Sequence, residues 1–170
     1  MDFLTLARQR CSVRDFEPTP VENEKLLQML EAGRVAPTAA NRQPQHFLVI
    51  NDESGFERLR SVGFHTSAPL VIIVCGDHNS ALVRGDNKTF LDADVSIATD
   101  HIMLAAEALG LSSCWLGWFD PAEMRKAFDV PAHVEPMSIL IIGYGKEKKS
   151  ADRHSTDRKP LDEFVHYNVF

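Results

Sequence analysis

Two kinds of hydrophobic pattern alternate along the chain: apolar residues at helical spacing, and short runs that are apolar throughout. The helical spacing predicts five helices, over residues 2–9, from a capping box at residues 19–22 to about residue 34, and over residues 54–60, 92–109 and 120–128. In the second of these, Leu26, Leu27 and Leu30 are expected to face the core. Pro20 suits the first turn of that helix, because a helix leaves its first N–H groups unpaired.

The fourth predicted helix is the longest and is apolar on more than one side. Val95, Ala98 and Ile102 mark one face, whereas Ile97 lies on another. A helix of this kind belongs in the interior of a protein or between two subunits. Gly110 is expected to end it, since glycine readily adopts the left-handed conformation of a helix C-terminus.

Four apolar runs predict strands, over residues 46–50, 69–76, 112–116 and 137–144. The run at residues 69–76 shows no alternation, which is typical of a strand buried on both faces. Helices and strands interleave without an internal repeat or a linker, so we expect one domain over residues 1–170. The predicted fold class is α+β, a mixed α/β sandwich with a sheet of four or five strands flanked by helices.

Residues 36–46 connect the second helix to the first strand and contain no large apolar side chain. Prolines stand near both ends, and Thr38, Asn41 and Gln43 offer side-chain hydrogen bonds between small alanines. Such a segment allows a planar polar ligand to approach the backbone closely. A polar connection without a ligand explains the same pattern, and the spacing alone favours that simpler interpretation.

Charge and composition exclude several classes of function. The formal net charge is -6 at pH 7, so the chain lacks the basic character that nucleic-acid binding requires. No apolar run approaches the length of a membrane-spanning helix, and residues 1–10 lack the apolar core of a signal peptide. The 3 cysteines are widely spaced, as is typical of reduced thiols. We therefore expect a cytoplasmic protein without nucleic-acid or membrane partners.

The sequence contains no common catalytic or metal-binding motif. A Walker phosphate loop, a Rossmann fingerprint, a Gly-x-Ser-x-Gly elbow and a Cys-x-x-Cys pair are all absent. The histidines never approach metal-ligand spacing, so no metal site is expected. Asp92, Asp94 and Asp100 on the fourth helix are interpreted as solvated or capping carboxylates, with Asp92 as the helix cap. A cofactor that brings its own chemistry would account for this pattern, leaving no protein residue as a candidate catalyst.

Several arginines could bind a phosphate group. Arg10, Ser12 and Arg14 stand at alternate positions, so in an extended segment their side chains point to one side. Arg153 and Arg158 follow in the polar tail. Arginines that converge on a phosphate each contribute about 1.5–3 kcal/mol through charge-assisted hydrogen bonds. Arg153 is interpreted as an ordinary surface residue.

Four motifs, in this order, resemble those of the nitroreductase family of FMN-dependent oxidoreductases, in a short variant. They are Arg10-x-Ser12-x-Arg14-x-Phe16; Ala36-Pro37-Thr38-x-x-Asn41-x-Gln43-Pro44-x-x-Phe47; Asp94-x-x-x-Ala98 followed by Leu104 through Gly117; and Gly143-Tyr144-Gly145 followed by Arg158-Lys159-Pro160-Leu161. Each motif alone is weak evidence. Four in register, spread over nearly the whole chain, are specific.

The resemblance implies a nitroreductase-like fold that forms an intertwined homodimer with two FMN sites at the interface. A C-terminal arm near residues 164–170 would wrap the partner subunit. Arg10, Ser12 and Arg158 would bind the phosphate, and Arg14 would reach the N1/O2 side of the flavin. A loop of the other subunit would contact the ring and the ribityl chain. The implied cofactor-binding residues are Arg10, Cys11, Ser12, Arg14, Pro37, Thr38, Ala39, Asn41, Gln43, Leu116, Gly117, Trp118 and Arg158.

The same resemblance implies a ping-pong enzyme. NAD(P)H would give hydride to flavin N5, near the backbone N–H groups of Gly117 and Trp118, and then leave. A nitroaromatic, a quinone or a related electrophile would take the electrons in the same site, without a protein acid or base. Two alternatives stay open: a specialised flavoenzyme of the family (a dehydrogenase, dehalogenase or flavin-fragmenting enzyme), and an FMN-binding protein without turnover.

Overall fold

The computed structural model describes residues 2–170, which form five α-helices and four β-strands. The helices are α1 (Phe3–Gln9), α2 (Asn23–Arg34), α3 (Glu53–Ser61), α4 (Leu91–Ala108) and α5 (Pro121–Ala127). The strands are β1 (Gln45–Ile50), β2 (Leu70–Asp77), β3 (Ser112–Leu116) and β4 (Val134–Gly143). Most of these elements lie where the hydrophobic pattern predicts them, and β3 has the predicted bounds.

The four strands form one antiparallel sheet in the order β1-β2-β4-β3. This architecture confirms the α+β class and a strand number within the predicted range of four or five. The first and third strands in sequence are therefore the two edges of the sheet. None of the helices formed by residues 2–170 combines the length and the apolar character that crossing a membrane requires.

The central strand β2 separates two hydrophobic cores, because its side chains point alternately to the two faces of the sheet. On one face, Val71 and Ile73 pack with α3, α5 and the N-terminal segment around Phe16. On the other, Ile72 and Val74 pack with residues of α2 and α4. Burial on both sides explains the unbroken apolar sequence of this strand and makes the molecule a three-layer sandwich.

The start of α2 differs from the predicted capping box at residues 19–22. The helix begins at Asn23, and Glu22 is its N-cap. Glu22 accepts a hydrogen bond of 2.6 Å from the hydroxyl of Tyr144, a distant residue directly after β4. This hydroxyl, together with Lys25, holds the pKa of the Glu22 carboxyl below its ordinary value. The carboxylate is therefore engaged with β4, and the helix starts after it.

The buried face of α2 is also rotated from the prediction. Leu26 is buried and Leu30 is half-buried, but Leu27 is 57% exposed, so its prediction as a core residue was wrong. Met29 and Gly33 complete the buried face instead. Their positions follow helical spacing from Leu26, and this side of α2 packs against α4.

Both ends of α4 depend on local hydrogen bonds. The helix begins one residue before Asp92, and Asp92 is not its cap: the hydroxyl of Thr89 accepts the N–H of Leu91 at 3.1 Å. At the other end the prediction is confirmed, because Gly110 has a positive φ of 77°. The N–H of Leu111 donates to the carbonyl of Ala106 at 2.9 Å, so this carbonyl in the last turn of the helix has a hydrogen-bond donor.

The strand β4 starts three residues earlier than the pattern predicts. Pro136 interrupts the apolar run, and the sheet accommodates it where the register shifts between Val74 and Cys75 of β2. Proline lacks the N–H that a sheet ladder uses, so a bulge is the position in a central strand that tolerates it.

All three cysteine thiols are free and buried, which agrees with the prediction of reduced thiols. Burial raises the pKa of the Cys75 thiol to about 11. At neutral pH this thiol is protonated and unreactive, because only the thiolate is a good nucleophile.

We expect Gly33→Ala to destabilise the protein by about 1–3 kcal/mol, the usual cost of overpacking a core. A Cβ atom at Gly33 would lie 2.7 Å from Cζ of Phe47 and 2.8 Å from Cδ1 of Ile102. This clash outweighs the better helix propensity of alanine, which is worth about 1 kcal/mol. Chemical denaturation measures the loss. Gly85→Ala, where a Cβ meets no atom within 4 Å, is the control and should leave the free energy of unfolding nearly unchanged.

Candidate functional site

The segment from Arg10 to Arg14 runs beside the edge strand β3. Ser12 pairs with Ser113 in a parallel bridge, and the N–H of Val13 donates to the carbonyl of Ser113 at 3.0 Å. Cys11 and Val13 are buried, whereas Ser12 and Arg14 are exposed. The extended backbone therefore places Ser12 and the two arginines on one side, and it points the side chain of Cys11 into the core. Cys11 can contact a ligand at this surface only through its backbone.

Three of the arginines that the resemblance implicates are free to bind an anion. Within residues 2–170, no carboxylate lies within ion-pairing distance of Arg10, Arg14 or Arg158, although four other arginines are paired in this way. The partly buried Arg10 places Nη1 3.9 Å from the sulfur of Met103 on α4. The charge of Arg10 therefore lies against an apolar helix surface, where an anion would interact with it strongly.

Arg153 holds the backbone of this segment, so its interpretation as an ordinary surface residue was wrong. Its guanidinium donates to the carbonyl of Arg10 at 2.6 Å and to the carbonyl of Ser150 at 2.8 Å. A ring nitrogen of His154 lies 3.1 Å from the carbonyl of Arg8. The carbonyls of Arg8 and Arg10 belong to the C-terminal end of α1, where cations are favoured. Local sequence contains no signal for these contacts, because Arg153 and Arg10 are 143 residues apart.

A cleft of about 470 Å³ adjoins Ser12 and Arg14. Its other wall is a lysine-rich stretch, residues 146–149. Lys148 forms an ion pair with the buried carboxylate of Glu107 on α4, at 2.9 Å. This ion pair fixes the stretch beside α4, and Glu107 offsets the charge of Lys148.

The loop between α2 and β1 has a strained backbone. Ala40, Asn41 and Gln43 all adopt positive φ angles, of 49°, 53° and 52°. A left-handed conformation costs a residue with a Cβ atom about 1–2 kcal/mol, and asparagine tolerates it best. Inside the loop, the N–H of Gln43 donates to the hydroxyl of Thr38 at 3.0 Å. Strain of this kind persists only where surrounding contacts hold it in place.

Asp94 on α4 anchors the same loop, which corrects its interpretation as a solvated or capping residue. The side chain is buried, and Oδ1 accepts the N–H of Ala39 at 2.8 Å. The carboxylate lies too far from solvent to be a surface charge and is not the helix cap. Its sequence neighbours contain no signal for this role, since Ala39 is 55 residues away.

The turn after β3 is the third part of the predicted site. Leu116 is the last paired residue of the strand and is half-buried. Gly117 and Trp118 lie beyond it and are exposed, so the sheet ladder does not use their N–H groups. Asp120 then caps α5 by accepting the N–H groups of Ala122 and Glu123, as the sequence predicts.

A single chain brings only part of the predicted site together. Arg10 lies near Met103, whereas the loop is anchored at Asp94; these positions are about 13 Å apart along α4 at 1.5 Å per residue. The loop also precedes β1 at one edge of the sheet, and the turn follows β3 at the other edge, about 14 Å across three strand spacings. Within one chain the loop and the turn after β3 therefore lie at opposite edges of the sheet, and the loop is attached to α4 away from Arg10.

The sequence matches the model of the Nitroreductase family over residues 7–63 and 56–144. This chain belongs to the nitroreductase family. Its resemblance to that family is thereby confirmed, and the α+β fold described above is the fold of this family.

Known proteins show the same relationship over the full length. A putative NADH dehydrogenase/NAD(P)H nitroreductase of Methanothermobacter thermautotrophicus is 32% identical, over 96% of this chain and 88% of the relative. The crystal structure of a nitroreductase family protein from Clostridium difficile 630 superposes with a TM-score of 0.95 at 42% identity, covering 100% of both chains. An FMN-dependent nitroreductase of Clostridium difficile R20291 superposes with a TM-score of 0.80 at 28% identity, covering 99% of this chain and 100% of the other.

Proposed function

We propose that this chain is an FMN-dependent oxidoreductase that uses NAD(P)H to reduce nitroaromatics, quinones or related electrophiles. Membership of the nitroreductase family and the names of its relatives support the reaction class. The observation that carries the proposal is the extended segment at the β3 edge, which presents Arg10, Ser12 and Arg14 on one side without carboxylate partners.

The residues present fit FMN. A phosphate dianion requires cations and hydroxyl donors, and Arg10, Ser12 and Arg158 would supply them. Arg14 would place a fixed positive charge at the N1/O2 edge of the flavin, which favours the electron-rich form of the ring. When bound, FMN would accept hydride from NAD(P)H at N5 and pass the electrons to the electrophile.

The chain's own groups would orient the ring. The N–H groups of Gly117 and Trp118, which the sheet leaves free, are suited to donate to N5 and O4. Leu116, the half-buried residue before Gly117, would contact the ring. No side chain is assigned as an acid or a base, since hydride transfer itself needs none.

We further propose that the site is completed in a homodimer. The separation of the loop from the arginine segment supports this arrangement, because two copies can bring together groups that one chain holds apart. The loop of the other subunit would then contribute its polar edge and small residues to the ring and ribityl chain. The contributed residues are Pro37, Thr38, Ala39, Asn41 and Gln43.

The purified protein should bind FMN and show a flavin absorption spectrum. Under anaerobic conditions, NADH or NADPH should bleach the bound flavin, and a quinone or nitroaromatic should restore its colour. A protein that stays colourless and does not bind added FMN would refute the proposal. Flavin that binds but never bleaches would indicate an FMN-binding protein without turnover.

Arg153→Ala should weaken FMN binding by about tenfold, one charge-assisted hydrogen bond at the lower end of its usual range. The arginine does not need to touch the ligand for this effect, because it holds the carbonyl of Arg10. Fluorescence titration measures the dissociation constant. Lys126→Ala, an exposed cation on α5, serves as the control, and equal affinities for both variants would contradict the positioning role of Arg153.

A further inference from the structure

Asp94 is an unusual residue in the interior of this protein. Its side chain is only 2% exposed, in the first half of α4. Oδ1 accepts the N–H of Ala39 at 2.8 Å, whereas Oδ2 is buried without a hydrogen-bond donor from any residue that the structure describes. A buried carboxylate is costly unless its contacts offset the loss of hydration. The contact that the structure provides is with the loop.

The loop depends on few attachments to the rest of the molecule. Within residues 2–170, the hydrogen bonds that join residues 36–44 to other elements are the one from Ala39 to Asp94, and one from the N–H of Asp77 to the carbonyl of Pro44. The remaining hydrogen bonds, such as that between Gln43 and Thr38, lie inside the loop. Asp94 therefore anchors the beginning of the loop, and β2 anchors its end.

The strained part of the loop lies between these two anchors. Ala40, Asn41 and Gln43 hold positive φ angles that residues with a Cβ atom avoid when unconstrained. Release of the Ala39 anchor would let the backbone relax toward ordinary conformations and would move the side chains of Asn41 and Gln43. A charged acceptor suits this anchor, since a hydrogen bond to a carboxylate is stronger than one to a neutral group.

We infer that Asp94 is a positioning residue that holds residues 38–43 in the shape required to contact the flavin of the neighbouring subunit. This inference rests on the proposed function, because it presupposes that the loop contacts FMN. Asp94 would act only through the backbone of Ala39 and would not touch the cofactor. Since one oxygen makes the contact and the other has no donor, an amide should replace the carboxylate in part.

The test compares Asp94→Ala, Asp94→Asn and Asp92→Ala. Asp94→Ala removes the acceptor, Asp94→Asn keeps an acceptor oxygen, and Asp92→Ala removes an exposed carboxylate of the same helix turn. Amide hydrogen exchange at Ala39 in the flavin-free protein reports on the anchor without any cofactor. Titrations with FMN and with riboflavin report on the ring contact, and thermal unfolding reports on global stability.

We expect exchange at Ala39 to accelerate by about tenfold or more in Asp94→Ala, the loss of one charge-assisted hydrogen bond. The affinities for FMN and for riboflavin should fall by the same factor, again about tenfold, since the loop contacts the part of the ligand that both share. For Asp94→Asn, the exchange rate at Ala39 and both affinities should stay within about threefold of the wild type, as expected if a neutral acceptor retains most of the hydrogen bond. Asp92→Ala should match the wild type in every measurement.

Three results would overturn the inference. In the first, Asp94→Ala frees the Ala39 amide but binds FMN as tightly as the wild type. In the second, Asp94→Ala and Asp94→Asn lose affinity equally and in step with their melting temperatures, so that Asp94 only supports the fold. In the third, the wild-type protein itself binds no FMN, which removes the proposed function as well and is recognised before any variant is made. If Asp94→Ala does not fold, Asp94→Leu, which keeps a branched side chain without a hydrogen-bond acceptor, replaces it in the same measurements and with the same expected results.

Discussion

Arg10→Ala should raise the dissociation constant for FMN by about 10- to 100-fold while changing that for riboflavin by less than about threefold. Arg10 is partly buried, lies against Met103 and has no carboxylate partner among the described residues, so its charge is available to the phosphate. Riboflavin lacks the phosphate and therefore loses nothing. Arg158→Ala should behave in the same way. Parallel fluorescence titrations with the two ligands measure the difference.

A matched control comes from an arginine that already has a partner. Arg60 forms an ion pair with Glu53 on α3, outside the proposed site, so Arg60→Ala should leave both affinities unchanged. Equal losses for FMN and riboflavin in Arg10→Ala would show that this arginine does not bind the phosphate. The phosphate site would then have to be sought among the lysines of residues 146–149.

Removal of residues 161–170 should convert a dimer into a folded monomer and lower the affinity for FMN by about 100-fold. The segment exposes several large apolar side chains, and its described hydrogen bonds and aromatic stacking are local to the tail. It therefore adds little to the core of its own chain, and its apolar surface is expected to pack against the second subunit. The exposed apolar residues are Leu161, Phe164, Tyr167, Val169 and Phe170.

Light scattering coupled to size-exclusion chromatography measures the molecular mass, and a titration measures the dissociation constant for FMN. The double variant Asp162→Ala and Glu163→Ala alters exposed polar residues of the same tail and should remain dimeric with full affinity. A truncated protein that is still dimeric, or a monomer that retains FMN, would contradict the composite site. The first outcome would also remove the arm from the interface.

Much of the fold could be predicted because the signals were local. The apolar run of β2, the N-cap Asp120 and the C-terminal Gly110 each act on residues within a few positions. Their structural consequences follow from backbone sterics and from hydrogen bonds inside a single turn or strand. The resemblance to the nitroreductase family could likewise be recognised from the sequence, and the match to the family model confirmed it.

Three of the departures from prediction have one common cause. The start of α2 was missed because Glu22 is engaged by Tyr144, 122 residues away. The partner carbonyl of Arg153, at Arg10, is distant in sequence, and the partner of Asp94, Ala39, lies outside its helix, so neither role could be predicted. A hydrogen bond between distant residues leaves no periodicity in the sequence, so pattern analysis cannot detect it.

The sequence by itself determined the fold class, the elements of the sheet and the chemical type of the candidate site. It also placed arginines, a hydroxyl and a polar loop among the candidates for binding a flavin. Only the tertiary structure decided which groups meet: it set Arg10, Ser12 and Arg14 on the β3 edge, and it tied the strained loop to Asp94 at a distance from them. Residue types follow from the sequence, whereas their separation in space follows from the order of strands in the sheet and the packing on α4.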